Sequence, residues 1–313
     1  MKIRIGVGLG AGGAADSAEF TDAVTNMERC GFDSLWLSEV LATPAIDPLS
    51  GLAYTAGVTR KLKLGTTMTV TGRNPVRVAK ELATIDRLSR GRLLLVFVPG
   101  LSDRFEDQAL GVPVKERGAW IDEVLPLVRR FWSEDAVSHR GPLFCFESLS
   151  IAPKPLQDPL EVWLGGTARS ALRRAGRLAD GWLPSLCTPE EAAAGRAAIE
   201  AAAADAGRRI DPEHFGISLA YAQTEIPPAQ VARIAKRRPG VDPSTLIPVG
   251  YPALRSLLER YINVGFSKFV LRPAEPPPSW PEELTRLAAS VLPLQTSVTV
   301  RRPWHCTQPS ISH

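Results

Sequence analysis

The chain has 313 residues, 44% of them apolar, and 37 Lys and Arg against 33 Asp and Glu give a net charge of +4 and a pI of about 9.0. That composition supports one large core, and no apolar run approaches the ~20 residues of a membrane span. Basic residues are interspersed with acids instead of lining an aromatic-studded stripe, which argues against a nucleic-acid surface while suiting a polyanionic ligand.

The N-terminus MKIRIGVGLG lacks the segments of a secretory leader, so the expected location is cytoplasmic. Cys30, Cys145, Cys187 and Cys306 are scattered without a C-x-x-C pair, as reduced thiols would be. Ile3 to Leu9 alternates as a first strand and opens into GLGAGGAAD. A dinucleotide fingerprint would have its glycines directly opening a helix and an acid ending the next strand. That spacing is only partly met, and Gly8, Gly10, Gly12 and Gly13 read as a flexible first loop.

Asp16 to Cys30 forms the first helix, Ser34 to Ser38 the second strand with Glu39 after it, and Asp47-Pro48 opens a helix through Val58. From Leu62 to Gly100 the chain reads strand, helix, strand. Thr and β-branched residues run to Val70, and Asn74-Pro75 starts a helix whose Val76, Ala79, Leu82, Ala83 and Ile85 make one apolar face. Leu93 to Val98 is an unbroken apolar run suited to a strand buried on both faces. Two helices follow, the second with an apolar stripe from Trp120 to Phe131. Between Ala136 and Asp158, short alternating pieces broken by Gly141-Pro142 and Pro153-Lys154-Pro155 predict a small antiparallel insertion before strand five, with His139 at its surface.

Leu160 to Leu164 is strand five, ending in Gly165-Gly166-Thr167 and a helix beginning near Ala168. Gly181 to Leu183 is strand six, Phe215 to Ala222 strand seven and Lys268 to Arg272 strand eight. A charged, Pro-rich segment at 224–250, with a short helix at 228–237, reads as a lid, and the helix from Pro281 to Leu292 closes the domain. The periodicity ends there. We expect one domain over 1–293 and a flexible tail over 294–313, whose His305 and Cys306 are too few to hold a metal.

Several of these words carry a resemblance. GFDSLWLSE (31–39), NPVRVAKELATIDRLSRGRL (74–93), ALGVPVKERGAWIDE (109–123), FESLSIAPKPLQDPLEVWLGG (146–166), ALRRAGRLADGWLP (171–184) and GFSKFVLRP (265–273) follow in order. Together they resemble the bacterial luciferase-like superfamily, flavin- or deazaflavin-dependent enzymes on a (β/α)8 TIM barrel, and most of all its branch that uses the deazaflavin coenzyme F420. The resemblance implies an α/β barrel, an oxidoreductase moving a hydride between the ring's C5 and a small organic substrate, and allows a homodimer. It leaves two alternatives: an FMN-dependent monooxygenase, and a barrel that binds a ligand without catalysis.

In such a barrel the site lies at the C-terminal strand ends. Here those ends include Glu39, Thr67 to Thr69, Val98 to Gly100, Gly165 to Thr167, Tyr221 and Arg272, with neither histidine nor a carboxylate cluster for a metal. A barrel so poor in acid, base and metal needs a borrowed redox group. Gly165-Gly166-Thr167 is sterically suited to an anion at a helix start, with Thr167 able to cap, and the resemblance makes it the cofactor-phosphate turn. By the same resemblance Thr67-Met68 stands where relatives carry a cis non-prolyl bulge behind the ring, and Val98 and Gly100 flank the ring. Glu39, where relatives often have Asp followed by His, is the catalytic candidate, to hydrogen-bond the ring's polar edge or accept a proton. Relatives read L-G-V-G-x-G in strand four, whereas this chain reads LLVFVPG, so Val96 and Val98 are expected to crowd the ring. The walls, apolar apart from Glu39, Thr67, Tyr221 and Arg272, imply a mostly apolar substrate.

Overall fold

A computed structural model describes residues 1–10, 13 and 16–296. Four strands, β1 (Arg4–Gly8), β2 (Ser34–Ser38), β3 (Lys63–Thr69) and β4 (Leu93–Val98), alternate with helices α1 (Ser17–Cys30), α2 (Pro48–Val58) and α3 (Pro75–Leu88). Then come α4 (Arg104–Leu110), α5 (Arg117–Ser133) and an antiparallel pair, β5 (Val137–Arg140) and β6 (Cys145–Leu149). The chain re-enters the barrel with β7 (Val162–Leu164), α6 (Arg169–Leu178), β8 (Gly181–Trp182), α7 (Pro189–Asp205) and β9 (Gly216–Tyr221). It ends in α8 (Pro228–Arg237), α9 (Tyr251–Asn263), β10 (Lys268–Pro273), α10 (Trp280–Val291) and α11 (Pro293–Thr296). The eight long-range strands pair in parallel in the order β8-β7-β4-β3-β2-β1-β10-β9, and bridges Trp182 to Phe215 and Ser185 to Ser218 join the ends. The expected (β/α)8 barrel with its antiparallel insertion is what forms.

Local chemistry sets the helix starts. Asp16 accepts from the amides of Ala18 and Glu19, Asp47 and Asn74 cap helices that have Pro in the first turn, and Thr188 forms a capping box with Glu191. Outward-facing strand residues such as Leu35, Leu64, Met68, Leu95, Phe97 and Leu271 join the helix faces in the main core. Inward, Trp36, Val96, Trp163, Leu183 and Val270 make a separate cluster that plugs the barrel. Two indoles fit because their neighbours are glycines: a Cβ on Gly65 would lie 2.4 Å from Trp36, and one on Gly181 2.4 Å from Trp163.

Beneath the plug, Lys268 Nζ lies 2.5 Å from Asp33 and 5.7 Å from the Trp36 ring centroid, with Lys63 on the other Asp33 oxygen at 3.1 Å. His139, read as a surface residue, is held at 2.8 Å by buried Glu123, which also accepts from the Leu143 and Phe144 amides and so anchors the hairpin. Packing continues past the expected boundary at 293. Leu294 is buried, and Gln295 Oε1 accepts from the Ile5 amide at 2.9 Å. Residues 297–313, with His305 and Cys306, and Gly12 of the first loop lie outside the described residues. No helix among the described residues is long and apolar enough to cross a membrane.

Candidate active site

Three neighbouring strand ends bring most of the expected residues together. Thr67 and Thr69 point inward on β3, where the register sets them beside Val96 and Val98 of β4, and the Gly165 amide donates to the Phe97 carbonyl at 3.2 Å. Gly165 is packed from the front: a Cβ there would lie 2.8 Å from Val98 Cγ1. Gly100, at φ +88°, closes the same rim, since its missing Cβ leaves room for Glu106 Oε2 and Thr69 Cγ2.

Gly166 has φ +93°, a left-handed conformation that favours glycine, and Trp182 Nε1 donates to its carbonyl at 2.9 Å. Thr167, expected to cap, does not: Ala168 is the N-cap, and no side chain bonds the first amides of α6. The helix therefore starts without a side-chain cap, with the positive end of its dipole beside an exposed Gly166, a setting that favours negative charge. A cleft of ≈ 350 Å³ lies alongside, lined by Thr167, Trp182, Cys187 and Arg238 among others. Burial pushes the Cys187 thiol up to about 12, so it is not a nucleophile.

Three expectations fail on geometry. Met68 faces outward, buried in the core under the helices, and its side chain does not line the mouth. Nor is there a bulge at Thr67-Met68: β3 pairs with β2 and β4 in unbroken register, and the two cis peptides among the described residues precede Pro153 and Pro159. Tyr221 also faces outward, donating to Glu283 Oε1 at 2.5 Å, so it leaves the wall.

Glu39 is in place but engaged. Its Oε2 accepts from the Thr69 amide at 2.9 Å and its Oε1 from Arg73 Nη2 at 2.6 Å, while Arg73 Nε donates to the Thr69 carbonyl at 3.0 Å. With both oxygens committed, the carboxylate ties the ends of β2 and β3. A second acid, Glu106, was missed. It is 2% exposed, accepts from the Leu101 amide, and burial raises its pKa, with Asp103 and Glu39 adding repulsion against the pull of the amide and Arg117. The usable signal was a glutamate in a helix that directly follows a barrel strand. No group of three or more His, Cys, Asp or Glu side chains among the described residues could hold a metal.

The profile of the luciferase-like monooxygenase family matches residues 1–238. The chain belongs to that family. Among its luciferase-like relatives is an F420-dependent glucose-6-phosphate dehydrogenase of Nakamurella multipartita, 30% identical over 211 residues, 62% of this chain and 60% of that one. An FMNH2-dependent dimethylsulfone monooxygenase of Pseudomonas fluorescens is 38% identical over 109 residues, 34% of this chain and 29% of the relative. Both matches span less than two thirds of the relative's length. A crystal structure of an F420-dependent secondary alcohol dehydrogenase with an F420-acetone adduct superposes with a TM-score of 0.78 at 17% identity, over 93% of this chain and 99% of that one, which shows a shared fold. Homologues of this luciferase-like barrel are thus oxidoreductases that use either a deazaflavin or a flavin.

Proposed function

We propose that this protein is an oxidoreductase that binds coenzyme F420 at the barrel mouth and serves hydride transfer to or from a small organic substrate. The observation that carries the reading is the uncapped start of α6 behind the positive-φ Gly166, a cradle for a phosphate-bearing group. Gly165, Gly166 and Thr167 would hold that phosphate, with Thr67, Val98 and Gly100 along the ring's edge. When bound, the deazaflavin supplies the hydride carrier. The chain's own residues do the rest: Glu39 with Arg73 fixes the β2–β3 rim, buried Glu106 stands beside it, and the Trp36–Trp163 plug fills the barrel beneath. The deazaflavin is favoured over FMN by extent of similarity, 62% of the chain in the F420-dependent relative against 34% in the FMNH2-dependent one.

Equilibrium dialysis of the purified protein against F420 and against FMN tests the reading, with oxygen uptake during turnover as the second measurement. Retention of FMN alone together with oxygen uptake would turn the assignment to a monooxygenase; retention of neither would favour a non-catalytic binding barrel. Gly166→Val should weaken cofactor binding about tenfold or more by covering the turn, and cost about 1–2 kcal/mol of stability because a β-branched residue is strained at that φ. Unchanged affinity in a folded variant would remove the turn from the site.

A further inference from the structure

Arg272 is the last inward-facing side chain of β10, its Cβ 3.6 Å from where a Cβ on Gly8 would stand. Helix α8 lies over this strand end, fastened where Gln230 Nε2 donates to the Ala274 carbonyl at 2.8 Å, with Ile234 buried among Ala220, Ala222, Leu246 and Ile247. One turn apart on α8, Arg233 and Arg237 direct their charge at Arg272. Burial brings the Arg272 guanidinium down to about 10, and among the described residues the charges acting on it, Arg233 and Arg237, push the same way. Burial and Arg237 likewise lower Arg233.

None of the three makes a hydrogen bond or ion pair among the described residues, and Nε and Nη2 of Arg233 are buried without a partner. Elsewhere buried and half-buried arginines have partners: Arg73 with Glu39, Arg117 with Asp107, Arg129 with Asp180, Arg174 with Asp122, and Arg92 with backbone carbonyls. Holding three like charges together without a counterion costs stability, and a fold keeps such a cluster where a ligand neutralises it. Guanidinium forks match the geometry of tetrahedral and planar oxyanions.

We propose that Arg233, Arg237 and Arg272 form a second anion site, taking a phosphate, sulfonate or carboxylate group of a ligand seated at the mouth. The proposal rests on the mouth being the ligand site. In the order β7-β8-β9-β10 the strand that carries Arg272 is three places from the one that ends in the Gly165-Gly166 turn, and we assign the arginines a different group from the one the turn would hold. Its source is either the substrate, which is then an organic anion and not the mostly apolar molecule read from the sequence, or the acidic far end of the cofactor.

Thermal melts of the full chain without cofactor, titrated with sodium sulfate against sodium chloride at matched ionic strength, test the site. Sulfate should raise the melting temperature saturably in wild type, and Arg272→Gln and Arg233→Gln should each shift the half-effect concentration upward by about tenfold or more. In chloride, Arg272→Gln should melt at or above wild type because repulsion is relieved, whereas an arginine serving structure alone would melt below it. Arg237→Gln, at an exposed position, gives the same sulfate readout should the buried variants fail to fold. A sulfate response that is absent, or identical in wild type and every variant, overturns the proposal. Repeating the titration with saturating intact cofactor and with the deazaflavin stripped of its phosphate-linked tail separates the sources. Loss of the response with the intact form alone assigns the group to the cofactor, and persistence with both assigns it to the substrate. Failure to bind any cofactor would defeat the proposed function while leaving the sulfate result on the free protein intact.

Discussion

Asp33 and Lys268 show how one pair of charges sets a pH window. Burial works against both ions, but Lys268 and Lys63 overcome it for Asp33 and hold its carboxyl down to about 2, whereas burial prevails for Lys268 and lowers it to about 8. Both are charged at neutral pH. Because the folded pKa of Asp33 lies below its ordinary 3.8, its contribution is complete above that value and is lost as pH falls towards 2. Lys268 gives a slope of the same sign at the alkaline end: between about 8 and 10.5 the fold binds fewer protons than the unfolded chain, so the penalty of burying its charge at neutral pH is relieved as pH rises. Asp33→Asn should cost about 3 to 5 kcal/mol at pH 7, since Lys268 is left buried with no counterion, and the gap from wild type in urea midpoints should narrow as pH falls from 4 to 2. A gap independent of pH would mean that packing, not charge, sets the cost. Residue types at the mouth were legible in the sequence, but their partners were not. Glu39 meets Arg73 only because β2 and β3 run side by side, and the lack of an acid paired with Arg272 among the described residues is a property of space that sequence order does not carry.

Elements were more legible than faces. Helix starts at Asp47-Pro48 and Asn74-Pro75 follow from capping chemistry that is local, and the βα alternation follows from periods of 2 and 3.6. The unbroken apolar run of β4 has no such period, so nothing in LLVFV says which residues look inward. The fold divides the pair: Val96 is fully buried in the plug with the two indoles, while Val98, one layer higher and half-exposed, presses on Gly165. We therefore propose that, of the two, Val98 is the one that would crowd a bound ring. Val96→Ala should cost about 2 kcal/mol with no gain in cofactor binding, and Val98→Ala should cost less than about 1 kcal/mol and tighten binding. Urea denaturation and dialysis measure both. A Val98→Ala protein that binds no better would show that the ring lies clear of this strand. The regular β3 was not foreseen either, because a trans peptide in unbroken register leaves the same letters as a bulge.

At the scale of the molecule the barrel is tied shut at its base by its last helices. Gln295 reaches from α11 to the Ile5 amide of β1 and, at 3.4 Å, to the Gly31 carbonyl after α1, so the C-terminal turn closes on the N-terminal strand. Gln295→Ala should cost about 1 to 2 kcal/mol by leaving that amide unpaired, read as a fall in melting temperature; no change would mean that water replaces the side chain. Among the described residues, packing on the barrel thus runs through Gln295, beyond the boundary expected at 293. The indole plug has a further consequence. Trp36 and Trp163 sit buried in the barrel beneath the mouth, where a ring-shaped cofactor would rest above them, an arrangement that the glycines beside them make room for. Their emission should be blue-shifted relative to surface indoles and quenched through energy transfer when a deazaflavin or flavin settles above. The barrel carries its own optical gauge of occupancy, which can be read without a label and without turnover.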